Sequence, residues 1–341
     1  MIEKVLVVVI LVTSGARAQT GSCRADGYEM TCRGKESLHG LKSSRDYSEI
    51  DTLNVHEDTI DLTDDLIPRD INFSRLTLLN ATDNQITRIG RRGFDKIRNV
   101  QFLYLSKNRI SHAQVDPFQA LSKLEVLEMD DALDGTAAQK GDLLRVLFQS
   151  KNSFVHLSKI ELNKNALEEV HPKTFCAVQG LKRLELNNNR LSSFKFARNC
   201  FKELKGLFLA GNLIERIPSD LWDFLPVIST LDLSNNPLFC DCKTLDLFQQ
   251  DDVTFINQAQ TKCASPPQLD GKSVFEVKKD YCSGTTSRGR TTFWQFTILF
   301  VIAVGILYVY KRYRERTGRM SSAPVGYHNL EHEQAVEPEF V

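Results

Sequence analysis

The chain has 341 residues, 42% hydrophobic and 25% charged, with 43 basic side chains against 43 acidic ones. That is the composition of an ordinary folded protein, and a net charge of zero lends no support to the concentrated positive surface that phosphate recognition needs; no nucleic-acid partner is expected. There are eight cysteines, an even number, so their redox state turns on the compartment.

In chain order, residues 1–18 come first. They carry Lys4, an apolar run Val5 to Val12, and Ala16-Arg17-Ala18 ahead of Gln19. A short apolar run closed by a small-x-small site predicts a cleaved secretory signal, because the run is too short to span a bilayer. Residues 19–49 hold Cys23 and Cys32, expected to pair and close an N-terminal cap over the open end of a core. Export also makes two sequons available for glycosylation, at Asn72 (Asn72-Phe-Ser74) and Asn80 (Asn80-Ala-Thr82).

From residue 50 to 238 one pattern recurs. Leu181, Leu184, Leu186, Asn189 and Leu191 are followed 23 residues later by Leu204, Leu207, Leu209, Asn212 and Ile214, and after another 24 by Ile228, Leu231, Leu233, Asn236 and Leu238. Leu157, Ile160, Leu162, Asn165 and Leu167 precede them. Apolar residues at the first, fourth, sixth and eleventh places do not hold a 3.6-residue period, so one long helix is excluded. The pattern fits the leucine-rich-repeat template, in which the fourth and sixth residues of a short strand point into a shared core and the asparagine satisfies backbone groups where the chain turns away. Repeats two and three begin at Leu76 and Val100 and place Asn84 and Asn108. Repeat one is atypical, with Leu53, Val55 and Asp58 in the asparagine place.

Repeat four, Leu124, Leu127 and Met129, has Ala132 where the asparagine belongs, and 33 residues then separate that place from Asn165. An insertion near 134–154, with a helix expected over Leu143–Gln149, is read as bulging from one turn. Phe94, Phe118, Phe175 and Trp222 fall ten residues after the asparagine place, predicting an aromatic spine under the convex side; repeat six has Phe201 shifted by two. Cys176 and Cys200 lie one period apart, as a bridge between neighbouring repeats or as two separate thiols.

The places between the two strand leucines face outward on the concave side: Asn54, Asn80, Tyr104, Glu128, Glu161, Glu185, Phe208 and Asp232. Phe102, Tyr104 and Phe208 are expected to face solvent as anchors for a ligand, and Glu128, Glu161 and Glu185 to form an acidic stripe for a basic loop. A glycan on Asn80 would stand on this face and keep a partner off repeat two. No serine, cysteine or histidine sits in a catalytic constellation and no phosphate loop occurs, so no enzyme activity, cofactor or metal is expected.

Residues 239–283 read NPLFCDC into Cys240 and Cys242, then Cys263 and Cys282. A zinc site is disfavoured in an oxidising exterior. After a linker at 284–292, residues 293–310 carry no charge and suit a transmembrane helix of about 27 Å, with Trp294, Tyr308 and Tyr310 at its edges. Lys311, Arg312, Arg314, Arg316 and Arg319 follow, which predicts a type I plasma-membrane protein with its N-terminus outside. In the tail, 311–341, Tyr327 and Leu330 match a short endocytic signal and Val341 ends a possible PDZ ligand.

Taken together, the signal, repeats, cysteine caps, single span and short tail resemble cell-surface leucine-rich-repeat proteins over essentially the whole chain. The resemblance implies a solenoid of short parallel strands with an irregular convex side and disulfide-bonded caps, with Cys240 bonded to Cys263 and Cys242 to Cys282. It also implies a non-enzymatic receptor or adhesion protein with an extracellular or cell-surface protein ligand, of a kind that modulates Wnt signalling. An ion-channel auxiliary subunit, acting through Phe293 to Arg319, is the alternative.

Overall fold

The computed structural model describes residues 21–34, 37–56, 60, 62–149, 154–277 and 280–317, with the backbone alone at 280, 283–295 and 317. The signal segment, Asp58, the side chain of Trp294, Arg319 and the tail positions Tyr327, Leu330 and Val341 lie outside what it describes. The chain divides into two units, one ending at Val277 and one beginning at Lys278.

The first unit is a leucine-rich-repeat solenoid built on one eleven-stranded sheet. A hairpin, Ser22–Asp26 with Glu29–Arg33, forms one edge and sets Cys23 directly opposite Cys32, to which it is bonded. Its second strand pairs in parallel with Thr52–His56. The sheet continues in parallel through Leu78–Asn80, Phe102–Tyr104, Val126–Glu128, Lys159–Glu161, Arg183–Glu185, Gly206–Phe208 and Thr230–Asp232, and ends on Thr254–Phe255. Pairing is in strict register, so Leu53, Leu79, Leu103, Leu127, Ile160, Leu184, Leu207 and Leu231 form one row, all fully buried. Burying one such side chain contributes roughly 1.5–3 kcal/mol, and none could be buried by its own repeat.

The asparagines hold the turn beside that row. Asn189 Oδ1 accepts from the backbone N–H of Asn165 at 2.9 Å and of Leu167 at 3.0 Å, while its Nδ2 donates to the carbonyls of Leu162 and Leu186, each at 3.0 Å. Asn108, Asn212 and Asn236 repeat the arrangement. Ala132 breaks the ladder in repeat four: Ile110 N, whose counterparts Ile86, Leu167, Leu191 and Ile214 each donate to an asparagine Oδ1 of the next repeat, donates instead to the Ala132 carbonyl at 2.8 Å. The sequence therefore loses one asparagine without orphaning that donor.

The insertion is anchored to the core by one face of a helix. Its helix runs Ala137–Leu147, earlier than expected, because Thr136 and Gln139 make a capping box: Thr136 Oγ1 accepts from Gln139 N, and Gln139 Oε1 from Thr136 N. Leu143, Leu144 and Leu147 are buried. Phe148 and Phe154 then bridge the spine between Phe118 and Phe175, with centroids 6.2 Å (Phe118–Phe154), 5.8 Å (Phe154–Phe148) and 5.1 Å (Phe148–Phe175) apart. Phe201 continues it from Phe175 at 6.4 Å. Trp222 does not join the spine. The one-turn helix Leu221–Phe224 puts its first and fourth residues inward, so Phe224 packs on Phe194 and Phe196 while Trp222 is half-buried at the edge.

Cys176 and Cys200 are bonded across neighbouring repeats, with Cα atoms 4.3 Å apart. At the far end Cys240 is bonded to Cys263, and Cys242 is itself in a disulfide. The short helix Cys242–Leu247 starts on Asp241, whose Oδ1 accepts from Thr244 N at 2.8 Å, and Phe248, Phe255 and Phe275 pack on one another to close the core. In the second unit one helix spans Asp280–Thr317 and takes in the segment expected as a linker; its stretch Phe296–Arg316 is long and apolar enough to cross a membrane.

Candidate protein-binding face

Two columns of side chains stand on the outer face of the parallel sheet, because alternate residues of every strand project there. The first column, from the residue that opens each strand, reads Leu78, Phe102, Val126, Lys159, Arg183, Gly206 and Thr230. The second reads Asn80, Tyr104, Glu128, Glu161, Glu185, Phe208 and Asp232. Neighbouring strands lie about 4.8 Å apart, so residues adjacent in a column touch or nearly touch.

The glutamates expected as a free acidic stripe are engaged from within. Lys159 Nζ lies 2.5 Å from Glu161 Oε1 and 4.0 Å from Glu185, and Arg183 Nε lies 2.7 Å from Glu185 Oε1. Glu128 accepts from Ser106 Oγ at 2.7 Å. The two basic residues of the first column thus sit against the acidic residues of the second, and the stripe is largely neutralised in place. Reading the two columns together would have shown this in the sequence, since Lys159 and Arg183 each lie two residues before a glutamate on the same face.

Phe208 is a second correction. It is 6% exposed, not a solvent-facing anchor: its ring lies across Gly206, where an added Cβ would stand 3.0 Å from it, and the Arg183 guanidinium covers it at 3.8 Å from the ring centroid. Asp232 is also buried, at 5% exposure, accepting from Asn257 Nδ2 at 2.8 Å and from Ser234 N at 3.0 Å.

Phe102 and Tyr104 are half-buried and keep one side to solvent. Phe102 stands between Leu78 and Val126 in register, which makes a contiguous apolar strip across repeats two to four. Tyr104 stands between Asn80 and Glu128. The strip's outer members, Leu78 and Val126, were not singled out from sequence; the column shows them. Asn72 is exposed on a loop, whereas Asn80 lies within the sheet face.

Below the glutamates, Asp130 accepts from Asn163 N at 2.7 Å and Asn163 Nδ2 at 3.0 Å. Burial pushes its carboxyl above the ordinary 3.8 despite those bonds, and Glu128 and Glu185 add to the rise. A polar concavity of about 840 Å³ follows one rim, where Asp83, Lys107, Arg109, Asp131 and Asp134 mix both signs of charge. Among the described residues no group of three His, Cys, Asp or Glu is placed to hold a metal.

No protein-family model matches the chain. Mouse CD180 antigen is 25% identical over 283 residues, covering 76% of this chain and 42% of the relative. Mouse nephrocan is 23% identical over 239 residues, covering 70% and 39%. The chain thus spans less than half the length of these two relatives. Among solved structures, that of human 5T4 (trophoblast glycoprotein) superposes with a TM-score of 0.65 at 19% identity, over 76% of this chain and 96% of that one. At that identity the likeness concerns the fold, and it agrees with the parallel sheet and caps described above: the first unit is a capped leucine-rich-repeat solenoid.

Proposed function

We propose that this chain is a non-enzymatic, single-pass cell-surface protein, its solenoid outside, that binds an extracellular protein ligand through the concave face of repeats two to four. The observation that carries the reading is the strip Leu78, Phe102 and Val126 with Tyr104 beside it: large, half-exposed apolar groups on a sheet whose other half covers its own. Aromatic side chains in a rigid, preformed surface are the usual anchors of protein interfaces. The polar and ion-paired residues of repeats five to eight would form the rim. Regulation of a Wnt-type signal enters the reading through the likeness to human 5T4, which also bears the name Wnt-activated inhibitory factor 1. An endocytic or PDZ adaptor on the tail, at Tyr327, Leu330 and Val341, belongs to the same reading.

The test is display of the full chain on cells and titration with a panel of labelled secreted and cell-surface ectodomains. Saturable binding that falls by about 30-fold or more in the double variant Phe102→Ala, Tyr104→Ala, at equal surface level, is the expected result, since hot-spot residues carry about 2 kcal/mol or more. No binding by any panel member, together with co-purification of the full chain with a multi-pass membrane protein, would replace this reading with the channel-subunit one.

A further inference from the structure

The apolar strip adjoins a sequon whose side chain the sheet holds in an unusual way. Asn80 is the last residue of the strand Leu78–Asn80 and is half-buried on the concave face, in register with Tyr104 on one side and Asn54 on the other. Its Oδ1 accepts from the backbone N–H of Thr82 at 3.1 Å, the third residue of its own sequon. Its Nδ2 makes no hydrogen bond among the described residues. The asparagines of the buried ladder engage their nitrogen as well: Asn84, four residues on, donates through Nδ2 to the carbonyls of Val55 and Thr82 at 2.9 and 3.1 Å. At Asn80 the oxygen fixes the side chain, and the nitrogen that would carry a sugar is left open.

The neighbours decide where a glycan would lie. Asn54 is tied back to Glu29, through Asn54 Nδ2 and Glu29 Oε1, which makes the N-terminal side of Asn80 a polar, occupied surface. On the C-terminal side are Tyr104 and, one column across, Phe102, with Leu78 two residues before Asn80 on its own strand. A glycan is bulky and strongly hydrated, and the adjacent strand is about 4.8 Å away, closer than the width of a single sugar ring. Sugars attached at Asn80 therefore stand beside repeat three, and the apolar side of the aromatic rings is the surface there that a sugar's own apolar face can cover.

We infer that Asn80 is an N-glycosylation site whose glycan covers Phe102 and Tyr104, so that occupancy at this one sequon sets how much of the strip is open. The inference concerns the same face as the proposed ligand site, but its test needs no ligand and can succeed or fail apart from that reading. Asn72 provides the internal control, because it is exposed on a loop and lies outside both columns.

The experiment uses the full chain produced in a glycosylating eukaryotic cell and held in detergent micelles. Peptide mass spectrometry reads occupancy at Asn72 and Asn80, and hydroxyl-radical footprinting reads the oxidation of Phe102 and Tyr104. The expected result is a glycan on Asn80 and a several-fold rise in oxidation of both rings when it is removed, either by Thr82→Ala or by enzymatic deglycosylation of the folded wild-type chain. Thr82→Ser, which keeps the sequon, should retain the wild-type footprint, and Asn72→Gln should leave both rings unchanged. An unmodified Asn80, or equal oxidation with and without its glycan, overturns the inference.

Discussion

Repeats two to four and repeats five to eight present the same two columns on the same sheet, yet they treat them oppositely. In the C-terminal half each outward group has a neighbour that answers it: Lys159 for Glu161, Arg183 for Glu185 and Phe208, and Asn257 for Asp232. In the N-terminal half the first column is Leu78, Phe102 and Val126, an apolar strip that the folded chain leaves half-exposed. The difference teaches that position in a repeat fixes which way a side chain points, while the residue one strand over decides whether it is available. Area and charge counts taken along the sequence miss that second step.

The comparison depends on the two halves standing on one continuous core, and the join is the insertion. Phe148 touches both Phe154 and Phe175 and is fully buried, so Phe148→Ala removes the ring that links the two parts of the spine. A loss of about 3–5 kcal/mol is expected, with the single unfolding transition of the solenoid broadening or splitting in two, as read by denaturant melts followed at probes in each half. Unchanged stability would mean that the insertion is not part of the core.

A smaller effect is expected from Arg183→Ala, which converts a covered region of the C-terminal half into an open one. The guanidinium is about half exposed, so its contacts with Phe208 and Glu185 together contribute on the order of 1 kcal/mol. The more sensitive readout is footprinting of Phe208, whose oxidation should rise toward that of Phe102 in the deglycosylated chain. No rise would show that Gly206 alone buries the ring.

The smallest effect concerns Asp130, between the halves. Its folded-state pKa is raised, so the fold holds its proton more tightly than the unfolded chain does. The ionised group therefore costs stability above that pKa, and the cost is relieved as pH falls through the folded value toward 3.8. The stability difference between wild type and Asp130→Asn should shift in favour of wild type between neutral pH and pH 4, and a shift the other way would contradict the assignment.

How far the sequence alone could reach follows from the same distinction. Leu184, Leu186 and Asn189 were legible because each repeats in phase and one physical demand, burial or backbone pairing, fixes it. The shielding of Phe208 was not, because it needs Arg183 from 25 residues earlier and the missing side chain of Gly206. Phe148 and Phe154 were hidden because the insertion leaves the repeat register, and Phe224 displaced Trp222 because a one-turn helix rotated the segment. Phe102 was legible as an outward-facing aromatic from its place in the repeat, but its neighbours Leu78 and Val126 required the strand pairing.

The most direct test of the account sets one half of the face against the other. With a partner recovered from the display panel, its Kd would be measured against the full chain carrying Phe102→Ala with Tyr104→Ala, and against the chain carrying Glu161→Gln with Glu185→Gln. The account predicts a loss of about 30-fold or more for the first pair and less than about threefold for the second, since rim charges contribute little. Collapse of binding in the second pair with the first unaffected would place the ligand on the ion-paired half and contradict the central claim.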